Sequence, residues 1–97
     1  MPIEVTVRHV DISGRLVEIA RDKAGKLQEE FAPVEFVRVV LNKDGPFCTS
    51  EVSVQGGRHM NAESKHRDAD MMVAINTSIE KAQTQLRRQM KKLHEIR

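Results

Sequence analysis

Residues 34–54, VEFVRVVLNKDGPFCTSEVSV, decide the fold. The opening VEFVRVVLNK is rich in β-branched side chains and apolar on both faces, the pattern of a strand with neighbours on either side. Asn42-Lys43-Asp44-Gly45-Pro46 then carries a turn signal, and a second strand is expected from about Phe47 to Val54. Beyond it, Gln55-Gly56-Gly57 offers the glycines of a tight hairpin. A further strand is expected from about Arg58 to Ser64, with Met60 and Ala62 facing inward beside Val52 and Val54. The centre of the chain therefore reads as an antiparallel meander of three strands.

On the N-terminal side, Ile3, Val5 and Val7 alternate with Glu4, Thr6 and Arg8, the period of two of a half-buried strand. Ser13 is placed to cap a helix, with Ile12 and Val17 spaced for a hydrophobic staple around it. Leu16, Ile19, Ala20, Ala24, Leu27 and Phe31 recur at steps of three and four, so this helix should run to near Ala32 and Pro33. Gly25 is its weak point, at a cost of about 1 kcal/mol relative to alanine. On the C-terminal side, Asp68 or Asp70 suits a helix start, and Met72, Ile75, Ile79, Ala82, Leu86, Met90 and Leu93 carry one stripe from about Ala69 nearly to the end.

The expected class is α+β, in the order β-α-β-β-β-α: a four-stranded sheet with both helices on one face and the other face left to solvent. Ninety-seven residues suit one domain with one core. The last helix is the odd element. About 28 residues at ~1.5 Å each make a rod of about 40 Å, longer than a small sheet covers, so its final turns should project.

No apolar run approaches the roughly 20 residues of a membrane span, and the N-terminus does not have the pattern of a secretory signal. The expectation is a soluble, cytoplasmic protein. The single Cys48 cannot form an internal disulfide and reads as a small buried or edge residue. Charge is more informative. Residues 80–97 hold six basic side chains (Lys81, Arg87, Arg88, Lys91, Lys92, Arg97) against Glu80 and Glu95, while the remaining residues hold ten basic and twelve acidic. The net charge of +2 thus hides a polarised molecule, and such polarity speaks to partners rather than to fold.

Lys81, Arg88 and Lys92 fall at intervals of seven and four, away from the apolar stripe, with Arg87 and Lys91 beside them. A solvated helix face is the ordinary explanation of such a ridge. Few acids neutralise it, however, and Arg21, Lys23 and Lys26 add cations from the first helix, so the two helices are expected to present positive charge toward one groove. That arrangement fits the phosphates of a nucleic acid. With no Trp or Tyr and three Phe, stacking on exposed bases is not the main mode, which leaves recognition of the backbone and shape of folded RNA.

The order of elements and several motifs resemble the ribosome hibernation-promoting and ribosome-associated inhibitor family in its short form. SGRLVEIARDKAGKLQEEF (13–31) is similar to the family's first helix, with Lys23 and Lys26 before Leu27 and Phe31. DADMMVAINTSIEKAQTQLRRQMKKL (68–93) is similar to its signature, matched at Asp70, Met71, Ala74, Ile75, Ile79, Lys81, Gln85 and Leu86. The resemblance implies a single ribosome-binding domain over residues 1–97. It implies binding to the small ribosomal subunit and its ribosomal RNA in the channel used by messenger and transfer RNA, with translation inhibited under stress or in stationary phase. It carries over Lys23, Lys26, Lys81, Arg88 and Lys92 as RNA contacts, to which the charge pattern adds Arg87 and Lys91. Met72 stands where the family usually has tyrosine and Thr84 where it usually has arginine. As a short form, the chain would need a second factor to promote ribosome dimerisation.

Other classes are weaker. His9, His59, His66 and His94 are scattered, and no nucleophile, base and orienting carboxylate can be grouped, so no enzyme, metal site or cofactor is expected. His59, Asn61 and Glu63 would share a strand face, which is the ordinary alternation of a solvent-facing strand. His66, beside Lys65 and Arg67, reads as part of a basic loop. A helix-mediated protein–protein interaction domain would use an apolar stripe already needed to cover the sheet. A double-stranded-RNA-binding-like module would need its charge at the start of the last helix, where this chain has DADMM.

Overall fold

The computed structural model describes residues 3–8 and 12–95, with side chains through Lys92. His9 and Arg97 lie outside the described residues, as do the side chains of Leu93, His94 and Glu95. The chain folds as β1 (Ile3–Arg8), α1 (Gly14–Glu30), β2 (Val34–Asp44), β3 (Phe47–Gly56), β4 (Asn61–Asp68) and α2 (Met71–Glu95). The strands lie in the order β1-β2-β3-β4. β2, β3 and β4 form the expected antiparallel meander, and β1 adds to β2 in parallel, Val5 opposite Val39 and Val7 opposite Leu41. A parallel pair needs a long crossover, and α1 supplies it.

Alternation sends Val37, Val39 and Leu41 of β2, Ser50, Val52 and Val54 of β3 and Ala62 of β4 to one face, where all are buried. α1 covers β1 and β2 on that face with Ala20, Ala24, Leu27 and Phe31, while α2 covers β3 and β4 with Met71, Ala74, Ile75, Ile79, Ala82 and Leu86. The opposite face carries opposed charges directly across the strands. Arg38 Nε lies 2.6 Å from Glu4 Oε1, and Lys65 Nζ lies 3.8 Å from Glu51 Oε1. Arg67 stacks over the Phe47 ring at 4.2 Å. Cross-strand pairs of opposite sign stabilise a solvated face and cancel its field.

Local chemistry sets the ends of the helices. Ser13 Oγ accepts a hydrogen bond from the Leu16 N–H at 3.3 Å, and Ile12 packs against the core. α1 closes where its stripe ends, at Glu30 with Phe31 as the cap, the Phe31 N–H donating to the Leu27 carbonyl and Pro33 preventing continuation. At the start of α2, Asp70 Oδ1 accepts from the Met72 N–H and Asp68 Oδ1 from the Asp70 N–H, both at 2.9 Å. Asp70 is therefore the cap and Asp68 props it. A buried hydroxyl chain then fixes the helix on the sheet. Ser78 Oγ lies 2.8 Å from Ser50 Oγ and 3.0 Å from the Ile75 carbonyl, and Ser64 Oγ donates to the Ser78 carbonyl at 2.6 Å.

The β3–β4 connection differs from the expected tight hairpin at Gln55-Gly56-Gly57. Gly56 stays in β3 opposite Val34, since a Cβ there would come within 2.5 Å of the Pro33 carbonyl oxygen, and the Gly57 N–H donates to that same oxygen at 2.8 Å. The turn is Gly57–Met60, closed by the Met60 N–H on the Gly57 carbonyl, and its left-handed residues are Arg58 (φ 58°) and His59 (φ 60°). β4 accordingly begins at Asn61 rather than Arg58 and runs on to Asp68, taking in His66 and Arg67, so the expected basic loop is a strand. His59 is in the turn and shares no strand face with Asn61 and Glu63.

α2 is buried against the sheet as far as Leu86, with Met90 partly buried beyond it. Its last turns extend past the core, in a molecule with a long axis of 48 Å against 23 and 16 Å for the others. The expected projection is present.

Candidate nucleic-acid interface

The cations of α2 fall on three sides of the helix, and the fold gives each side different neighbours. On the flank toward β4, Lys81, Gln85 and Gln89 recur every four residues and meet the open edge of that strand. Lys81 Nζ donates to the Lys65 carbonyl at 3.2 Å. The Gln85 side chain accepts from the Glu63 N–H at 3.1 Å and donates to the Glu63 carbonyl at 2.7 Å. The Gln89 side chain bonds the N–H and carbonyl of Asn61 in the same way. Four helical residues rise about 6 Å and two strand residues about 6.6 to 6.8 Å, so one row of side chains can satisfy alternate backbone groups along an edge. The edge is closed without another strand.

Outside this ladder, Lys81 and Arg88 line a hollow of about 550 Å³ with Lys65, Thr77 and Thr84. The hollow is cationic and rich in hydroxyls, although Glu63 and Glu80 also reach it. Lys81 Nζ also sits 3.5 Å from His66 Nδ1, and His66 Nε2 sits 3.8 Å from Asp68 Oδ2.

On the flank toward α1, a second hollow of about 410 Å³ is lined by Lys23, Lys26, Glu30, Glu80 and Gln83 over a floor of Leu27 and Ile79. Glu30 anchors this side, accepting from Gln83 Nε2 at 2.7 Å and from Arg87 Nε at 3.2 Å. The expectation that both helices direct their cations into one groove is therefore corrected. Lys23 and Lys26 occupy the interhelical groove together with two carboxylates, Arg87 is tied to one of those carboxylates, and Lys81 and Arg88 face the other way. The division follows from which neighbour packs on each flank, which spacing along α2 does not reveal. Lys91 and Lys92 are exposed on the projecting turns.

Lys65 and Thr77 join the Lys81–Arg88 hollow and were not among the expected contacts. Lys65 lies beyond the Ser64 end expected for that strand and its ammonium pairs with Glu51, so only the packing of α2 beside the edge, with Lys81 on the Lys65 carbonyl, brings the two together. The N-terminus of α2 is unsuited to a phosphate, because Asp70 caps it, accepting from the Met72 N–H, and with Asp68 makes the local charge negative. Among the described residues, no group of three or more His, Cys, Asp or Glu could hold a metal ion, and no helix is long and apolar enough to cross a membrane.

The fold is shared with solved structures. A ribosomal subunit interface protein from Coxiella burnetii superposes with a TM-score of 0.77 at 23% identity, over 94% of this chain and 99% of that one. The N-terminal domain of Protein Y from Thermus thermophilus gives a TM-score of 0.78 at 23% identity, over 91% and 98%. No curated protein matches the sequence. The family model described as Sigma 54 modulation protein / S30EA ribosomal protein matches residues 3–94, nearly the whole chain, and the protein belongs to that family.

Proposed function

We propose that this protein is a ribosome hibernation factor that binds the small ribosomal subunit in the channel for messenger and transfer RNA and inhibits translation under stress or in stationary phase. Membership of the family supports a ribosome-associated role. The observation that carries the RNA reading is the row of exposed cations on a helix that outlasts its own core: Lys81 and Arg88 beside β4, then Arg87, Lys91 and Lys92 on the last turns, where Met90 alone still packs against the core. Side chains released from packing and held on a rigid rod suit a polyanion, whose affinity comes largely from the release of counterions. The opposite face of the sheet, with its charges paired across strands, is less suited to that partner. Lys23 and Lys26 contribute from the rim of the interhelical groove.

The test is co-sedimentation with purified small subunits at two salt concentrations, with an in vitro translation assay alongside. The expected result is stoichiometric binding that weakens steeply with salt and reduces translation. Replacing Arg87, Arg88, Lys91 and Lys92 together by alanine should preserve the fold. It should cost several kcal/mol of binding, at about 1.5 to 3 kcal/mol for each well-ordered charge-assisted contact. Unchanged affinity in that variant would remove the tail as the anchor, and no binding by the parent protein would reject the function.

A further inference from the structure

We propose that Arg58, at the tip of the β3–β4 turn, is a further contact to the phosphodiester backbone of the same RNA, on a cationic end shared with the tail of α2. The inference rests on the RNA-binding function above. It begins with an unfavourable backbone. Arg58 and His59 both take left-handed φ values, 58° and 60°, in a two-residue turn where Asn-Gly would be at ease. Side chains other than glycine clash with their own backbone in this conformation, so holding two of them there is unfavourable. The two neighbouring glycines do not relieve this, since Gly56 is held in β3 against Pro33 and Gly57 precedes the turn's central pair. A large, charged, exposed side chain is thus kept at a position where glycine would be more stable.

The turn is mounted firmly beside the tail. Met60, fully buried, anchors one side, and Gln89 grips the backbone of Asn61 immediately after it. Arg58 lines a shallow hollow with Ala32, Pro33, Glu35, Gly57 and Met90. The register of the edge ladder runs Lys81 with Lys65, Gln85 with Glu63 and Gln89 with Asn61. The ladder ends with Gln89 at Asn61, and the next helical residue, Met90, lines the hollow with Arg58, one residue before Lys91 and Lys92. Among the described residues Arg58 forms no ion pair within 4.0 Å, unlike Arg21, Arg38 and Arg87. Its charge is therefore available at the end of the molecule where α2 projects.

The deciding variant is Arg58→Gly, because the fold and the contact respond to it in opposite directions. Glycine accepts the left-handed conformation, so thermal stability should be maintained or rise. Affinity for purified small subunits should fall about tenfold. The slope of log affinity against log salt should flatten by about 0.7 to 0.9, the loss of one phosphate contact. Arg58→Lys should keep most of the affinity. Equal affinity and equal salt slope for the parent and Arg58→Gly would overturn the inference and leave the function standing. A fall in affinity accompanied by a lower melting temperature would assign the effect to the fold and overturn it as well. Failure of the parent protein to bind small subunits would overturn the function and this contact together.

Discussion

From Met71 to Leu86, α2 places a residue in the core at nearly every turn; from Arg87 to Lys92, Met90 alone packs against it. Both stretches continue one helical stripe, and both carry cations. In the first, Lys81 is bound to the backbone of β4 while Ser78 joins the buried hydroxyls. In the second, Arg88, Lys91 and Lys92 are exposed, and Arg87 bonds a partly exposed carboxylate. The comparison teaches that periodicity marks which side of a helix is apolar, whereas the length of the sheet beneath it decides how far that side is used for folding.

The largest effect that could break this contrast comes from its buried half. Leu86→Ala, at a fully buried site, should destabilise the protein by about 2 to 5 kcal/mol in chemical denaturation. A cost below about 1 kcal/mol would mean that the tail begins before Leu86. Next come the edge clamps. Gln85→Ala with Gln89→Ala removes four hydrogen bonds from the β4 edge, two of them donated by its backbone. Water can replace part of them, so the expected loss is about 1 to 2 kcal/mol. The opened edge should also give concentration-dependent self-association in sedimentation equilibrium, since an unpaired strand is a template for another. A double variant that stays monomeric at all concentrations would show that the glutamines add stability without guarding the edge.

The smallest effect sharpens the boundary at Arg87. Glu30→Ala removes an ion pair whose two side chains are 37% and 61% exposed, so stability should change by less than about 1 kcal/mol. If Arg87 belongs functionally to the projecting cations, its release should raise affinity for small subunits a few-fold. A drop would mean that Glu30 holds Arg87 in the geometry that binding needs.

Much of this architecture was legible in residue order. The alternation of Ile3, Val5 and Val7, the β-branched run of β2 and the stripes of both helices each report which side is buried, and burial is what the periods encode. Ser13 was legible as a cap because capping is local. Gly56 was not, because its role depends on the carbonyl of Pro33, more than twenty residues away, and the glycine-rich segment looked like the turn itself. The seven expected contact residues were legible as cations but not as a surface. Lys23, Lys26 and Arg87 share their side of α2 with Glu30 and Glu80, Lys81 is partly occupied by β4, and Lys65 and Arg58 enter from strands and turns that spacing along a helix cannot reach.

The row of clamps along β4 has one more consequence, an entropic one. A lysine or arginine on a frayed helix end must give up backbone freedom when it meets a partner, at roughly 1 to 2 kcal/mol per residue. Here Gln85, Gln89 and the Ser50–Ser78 pair settle the direction of α2 before its tail leaves the sheet. If the proposed RNA partner binds there, it meets cations whose backbone is already ordered, and more of each contact remains as affinity. Residues that touch no ligand can in this way strengthen binding, by removing in advance the disorder that association would otherwise have to overcome.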